Sequence, residues 1–306
     1  GPVYFTNING VLYFRAADAT NGTELWKSNG TAAGTTLVKD IAPGTNASIP
    51  NNLFNLSDKL FFIASNGTNG FELWKTDGTE AGTVMVKDIT PGSGSTNILS
   101  LTNVNGTLFF VANHINTGNE LWKTDGTEPG TIVIDINPGT PGSSPQALTN
   151  VNGTLFFSAT NGTDGTELFK SDGTAAGTVM VKDIHAGATN SNPDFLCNVN
   201  GVLYFNAFQS ATGFELWKSD GTVAGTVLVK KFSNVATAPS QFAYLTAINT
   251  LAFTTRDANI NNGELYKSDG TSAGSVLLKE INYVTTNSIS SQYTNYNSSL
   301  YFVATD

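Results

Sequence analysis

Apolar residues in this chain fall in short runs separated by small polar clusters. Leu60-Phe61-Phe62-Ile63-Ala64 gives way to the polar stretch Ser65-Asn66-Gly67-Thr68-Asn69-Gly70. Phe71-Glu72-Leu73-Trp74-Lys75 follows, then the turn Thr76-Asp77-Gly78-Thr79, then Thr83-Val84-Met85-Val86-Lys87-Asp88-Ile89. A loop opening Thr90-Pro91-Gly92 returns the chain to Ile98-Leu99-Ser100-Leu101. Each run is rich in β-branched or aromatic residues and is bounded by Gly, Asn, Asp or Pro, so it predicts strand, turn, strand. Asp-Gly and Asn-Gly supply the positive φ angles that tight hairpins need. No segment sustains a helical period.

The whole pattern recurs. Glu-Leu-aromatic-Lys, then Ser/Thr-Asp-Gly-Thr, then Gly-Thr or Gly-Ser begins at Glu24, Glu72, Glu120, Glu167, Glu215 and Glu264, at spacings of 48, 48, 47, 48 and 49 residues. Four strands per unit of this length predict an all-β protein built of four-stranded blades, a β-propeller. We label the strands of a unit A to D, with A nearest the axis. The B-strand motif occurs seven times, from Leu12-Tyr13-Phe14 to Leu300-Tyr301-Phe302, so six full repeats are followed by one extra A–B hairpin. Seven blades are expected in preference to six, because a lone hairpin is not stable. Residues 1–306 are expected to form a single domain, an excerpt of a longer multidomain surface protein.

The string Glu-Leu-Trp-x-x-Asp-Gly-Thr-x-x-Gly-Thr resembles a bacterial family known by it, the ELWxxDGT repeats. The resemblance spans nearly the whole chain. It departs at Asn29 for the turn Asp, at Phe169 and Tyr266 for Trp, and at Ser275 for Thr. It implies β-propellers in large secreted or surface proteins, and it implies no defined enzymatic activity.

Charge narrows the partners. Charged residues are only 13% of the chain and the net charge is −9. Most lysines recur at fixed positions of the third and fourth strands, which leaves Arg15, Lys59, Lys231 and Arg256. No basic stripe can be assembled from these, so nucleic acid is not an expected partner. The single cysteine, Cys197, excludes an internal disulfide and reads as a buried thiol. No apolar run reaches membrane-spanning length, so membrane insertion is not expected. A secreted or cell-surface location is expected from the acidic, nearly cysteine-free composition.

A residue present once per repeat is expected to be scaffold. Six identical Glu spread over six blades do not make a catalytic centre, which needs unlike groups converging on one point. The expectation is that Glu and Lys tie strands and loop amides together, with the aromatic wedged between blades. The Asp-Gly-Thr segments lack the alternating ligands of a calcium loop and read as Asx turns. Catalytic signatures are missing from the sequence, and His114 and His185 lie in different repeats.

Antiparallel alternation puts the A–B and C–D turns at one end of every blade and the B–C loops at the other. The B–C loops hold the non-recurring charges Arg15, Asp18, Asp164, Arg256 and Asp257, flanked by Phe71, Phe208 and Phe214. These are the candidate binding residues, since binding groups concentrate on loops of rigid scaffolds. Asp18 with Asn21, and Asp164 with Asn161, are calcium candidates, and no other cofactor is expected. The chain is thus expected to be a non-enzymatic binding or adhesion module that recognises surface glycan or protein, or neighbouring domains or copies of itself. A structural unit of a surface appendage is the second expectation, and a glycosidase or lyase the third.

Overall fold

The computed structural model describes residues 1–232, 238–255, 264–279, 289–296 and 299–304. It is an all-β protein of propeller type, with six four-stranded antiparallel sheets and one two-stranded sheet. Among the described residues the one helical element is the 3₁₀ turn Thr246–Ile248. Blade 1 comprises strands Val3–Ile8, Val11–Asp18, Gly22–Ser28 and Thr36–Lys39. Blade 2 comprises Asn51–Leu56, Lys59–Ser65, Phe71–Thr76 and Val84–Lys87, and blade 3 Ile98–Val104, Thr107–His114, Gly118–Thr124 and Ile132–Ile134. Blades 4, 5 and 6 begin at Gln146, Asp194 and Ser240, and each keeps the order A–B–C–D. The seventh sheet is the hairpin Ile289–Tyr296 with Ser299–Ala304, so six blades are complete.

The chain divides into two compact units, Gly1–Ser144 and Pro145–Asp306. In the first, Trp74 of blade 2 packs on Leu25, Val38 and Ile41 of blade 1, and Trp122 of blade 3 packs on Leu73, Val86 and Ile89 of blade 2. In the second, Trp217 meets Leu168, Val181 and Ile184, and Tyr266 meets Leu216, Val229 and Phe232. The rule is constant within each unit. The motif aromatic of one blade lies on the Leu, Val and Ile (or Phe232) of the blade before it. Trp74, Trp122, Phe169, Trp217 and Tyr266 are buried as expected. Trp26 is only half-buried, although Phe14↔Trp26 has the same register as Phe62↔Trp74. The pairing is the same in both blades, so the register does not account for the difference.

Two departures from regular pairing recur among the blades. The second residue of each A strand, or the third in blade 3, has positive φ, namely Tyr4, Asn52, Ser100, Ala147, Phe195 and Gln241. A register shift between A and B accompanies each one, which is the signature of a β-bulge. The residue types share nothing, so the packed blade imposes the conformation. The C–D pairs carry a second shift, for example between Leu73 and Trp74, except in blade 3. There Ile134-Asp135-Ile136 stands where blade 2 has Val86-Lys87-Asp88-Ile89, so the bulge and its lysine are both missing. This deletion is the cause of the 47-residue spacing.

Lysines bind successive blades. Lys27 Nζ donates to Gly78 O at 2.8 Å and Lys75 Nζ to Gly126 O at 2.6 Å. Lys170 and Lys218 donate in the same way to Gly221 O and Gly270 O. From the fourth strand, Lys39 reaches Thr83 O at 2.9 Å and Lys87 reaches Thr131 O at 3.1 Å. Lys75→Met keeps the apolar stem and removes one latch, so it is expected to cost about 1–3 kcal/mol in denaturant unfolding, the range for a hydrogen bond to a charged group. No measurable loss would show that the ammonium gains nothing over water.

Candidate functional site

The recurring carboxylates sit inside the scaffold. Glu72 is fully buried, and its Oε2 accepts from Ile89 N at 3.1 Å. Its Oε1 accepts from Thr90 N at 3.3 Å and Thr96 Oγ1 at 2.7 Å. Glu24 accepts from Ile41 N, Ala42 N, Ser48 N and Ser48 Oγ, and Glu120 from Ile136 N, Asn137 N, Ser143 N and Ser143 Oγ. Each Glu therefore holds the start and end of its own D-to-A connection, the segment that carries the chain to the next blade. Burial outweighs these donors and raises the carboxyl pKa of Glu24, Glu72, Glu120, Glu167 and Glu215, in Glu72 to about 7.

The Asp-Gly-Thr segments are Asx turns at the opposite end. Asp77 Oδ1 accepts from Thr79 N at 2.9 Å and Thr79 Oγ1 at 2.7 Å, while Gly82 N donates to Thr79 Oγ1. Gly82 has no room for a side chain, since a Cβ would fall 2.1 Å from Asp77 Oδ1. Hydrogen bonds from Thr79, Thr127, Thr222 and Thr271 lower the pKa of Asp77, Asp125, Asp220 and Asp269.

The two families give opposite pH dependence. A raised Glu favours the folded state in its protonated form, so that stability is complete below about 4.5 and is lost as pH rises through about 7. A lowered Asp favours it ionised, so that stability is complete above 3.8 and is lost as pH falls further. Thermal unfolding is expected to peak between about pH 4 and 5 and to decline on both sides. A melting temperature that rises steadily from pH 5 to pH 8 would contradict the Glu assignment.

Among the candidate loop residues, Arg15 lies on the second strand of blade 1, with its guanidinium over the Tyr4 ring at 4.6 Å. Asp18 is closed into its own turn, accepting on Oδ1 from Thr20 N and Asn21 N and on Oδ2 from Asn21 Nδ2. Asn161 and Asp164 form the same turn in blade 4, with Asn161 Nδ2 donating to Asp164 Oδ2 at 2.8 Å. The oxygens offered to calcium thus already hold turn amides. Among the described residues no three His, Cys, Asp or Glu are grouped to hold a metal. Phe208 and Phe214 face each other across a strand pair at 5.3 Å, with His185 edge-on to Phe208 at 5.5 Å. Phe71, in the other unit, lines a cavity of about 410 Å³ with Asn52, Asn97 and Leu99. Arg256 and Asp257 lie outside the described residues.

The loops vary in sequence but repeat in form. Gly70 ends the B–C loop of blade 2 at positive φ, and its Cα lies so near Gly94 O that a Cβ would fall at 2.1 Å. Gly22 and Gly165 press on their own D-to-A connections in the same way. Sequence reading missed the Phe71 cavity, because Asn97 and Leu99 come from the next repeat and carry no motif. Cys197 is half-buried, and burial pushes its thiol up to about 11, so it is a poor nucleophile. No described helix is long and apolar enough to cross a membrane.

Comparison with protein-family models and with curated proteins gives no match. Solved structures do resemble the chain. The β-propeller domain of the Trilobed protease from Pyrococcus furiosus is 12% identical, with a TM-score of 0.46 over 92% of this chain and 84% of that one. Oligopeptidase B from Leishmania major is 12% identical, with a TM-score of 0.48 over 90% of this chain and 41% of that one. An uncharacterized protein from Listeria monocytogenes is 11% identical, with a TM-score of 0.48 over 98% and 89%. The likeness is one of fold. The expectation of an adhesion module recognising glycan or protein through the B–C loops is corrected by these comparisons. The named proteins among them are peptidases.

Proposed function

We propose that this chain is a non-catalytic propeller domain that works as part of a larger peptidase, and that its repeats belong to the ELWxxDGT family. One observation carries the non-catalytic half of the reading. Five of the motif Glu have carboxyl oxygens engaged by connection amides, four of the third-strand Lys are latched to the next blade, and the turn Asp oxygens hold turn amides. The groups most suited to acid–base work are occupied by the scaffold. The choice of peptidase as the partner activity follows the names of the proteins of like fold and not a geometric match. The test assays peptide hydrolysis by these 306 residues alone and by the full natural polypeptide or complex that contains them. The expected result is cleavage only by the larger species. Hydrolysis by the isolated chain would overturn the non-catalytic half, and no hydrolysis by either would overturn the peptidase half.

A further inference from the structure

Blade 1 leaves open the face that the next blades of its unit bury. Leu60 and Ala64 of blade 2 are buried under blade 1, and Leu108 and Ala112 of blade 3 under blade 2. Their counterparts Leu12 and Ala16 are half-buried, as is Trp26, and Phe5 is 59% exposed. The turn tells the same story. Gly78 and Gly126 are buried, touching Tyr13 and Phe61 of the preceding blade, and their carbonyls take a lysine. Blades 5 and 6 repeat this at Gly221 and Gly270. Gly30 is exposed, and a Cβ there would meet no atom within 4 Å. Thr35 is likewise exposed where Thr83 and Thr131 are fully buried. Among the described residues no lysine reaches Gly30 O or Thr35 O.

We propose that this face of blade 1 is a docking surface for the C–D strand pair of one further repeat of the same type, beyond the six whose blades are complete. The occupant is defined by what covers the equivalent faces. A Leu and a Val from its two strands, and an Ile or Phe just after them, lie on Leu12, Ala16 and Trp26. Two lysines donate to Gly30 O and Thr35 O. Four of the five covering groups lie on strands C and D, and the fifth follows D, so this pair suffices. The two carbonyls of the surface ask for donors, at the spacing that the third- and fourth-strand lysines supply.

The test adds such a pair to the intact chain. Residues 213–232 hold Leu216, Lys218, Val229, Lys230 and Phe232, which cover blade 6 in this manner. A copy of them is joined ahead of Gly1 through a flexible Gly/Ser linker of about 20 residues, whose mean span is about 25 Å. Amide hydrogen exchange is then followed in Gly22–Ser28 and Thr36–Lys39. In the unfused chain these strands are expected to exchange at least about tenfold faster than Phe71–Thr76 and Val84–Lys87, and the fusion is expected to slow them by about tenfold. A control fusion carrying Leu216→Asp and Val229→Asp in the added copy only, which leaves the 306 residues untouched, is expected to change nothing. Equal exchange of the two blades in the unfused chain would overturn the proposal. So would a fusion without effect, or equal slowing by the control.

Discussion

Replacing Glu72 with Ala is expected to lower the stability of the unit Gly1–Ser144 by about 3–5 kcal/mol, although no ligand or catalytic step is involved. The carboxyl is fully buried and accepts from Ile89 N, Thr90 N and Thr96 Oγ1. Ala leaves two amides without an acceptor, while the Thr96 hydroxyl keeps Thr90 Oγ1 at 2.8 Å, and each unpaired amide costs about 1–3 kcal/mol when it stays away from water. Glu72→Gln retains one carbonyl oxygen for the amides, and its NH₂ has Thr96 Oγ1 as an acceptor, so less than half of that loss is expected. Glu80, exposed beside the Asp77 turn, is the control, and its replacement by Ala is expected to stay within about 0.5 kcal/mol. The measurement is urea unfolding of all three variants at one pH. A loss below about 1 kcal/mol in Glu72→Ala would mean that the connection finds other acceptors, and the scaffold reading of the motif Glu would fail.

Trp122→Ala is expected to cost about 3–5 kcal/mol, the range for deleting a large aromatic from a packed core. The indole is 5% exposed, lies on Leu73, Val86 and Ile89 of blade 2, and stacks on Phe110 at 6.3 Å. Little of the void can be refilled, because the flanking Leu108 and Phe110 are themselves fully buried. Trp26→Ala deletes the same side chain from the same register, but from the open face of blade 1. Half-burial removes roughly half of the transfer and cavity contributions, so the expected cost is about 1–2 kcal/mol. The contrast between the two variants is the informative quantity. Equal losses would show that Trp26 is as enclosed as Trp122 in solution, against the exposure described for blade 1.

The sequence by itself determined the repeat and most of its wiring. Period, strand number and turn chemistry are local properties, carried by alternation and by Asp-Gly and Asn-Gly pairs, and they recur along the chain with few departures. Recurrence also marked Glu72, Lys75 and Asp77 as scaffold, because a group needed once would not be made six times. Three matters were decided only by the tertiary structure. The A-strand bulge places Tyr4, Phe195 and Ala147 at positive φ, where none has a local preference, since packing of the blade outweighs the cost of the strained residue. The candidate residues Arg15, Asp18, Phe71, Asp164, Phe208 and Phe214 share a rim by topology, yet Asp18 and Asp164 are engaged within their own turns and Phe208 and Phe214 pair with each other. The turns of blades 1, 2 and 4 are tied to their own blades by contacts of Gly22, Gly70 and Gly165 that only close packing reveals. Finally, identical motifs differ in burial, Trp26 against Trp122, because a residue's own sequence fixes which face it presents but not whether another blade lies on that face.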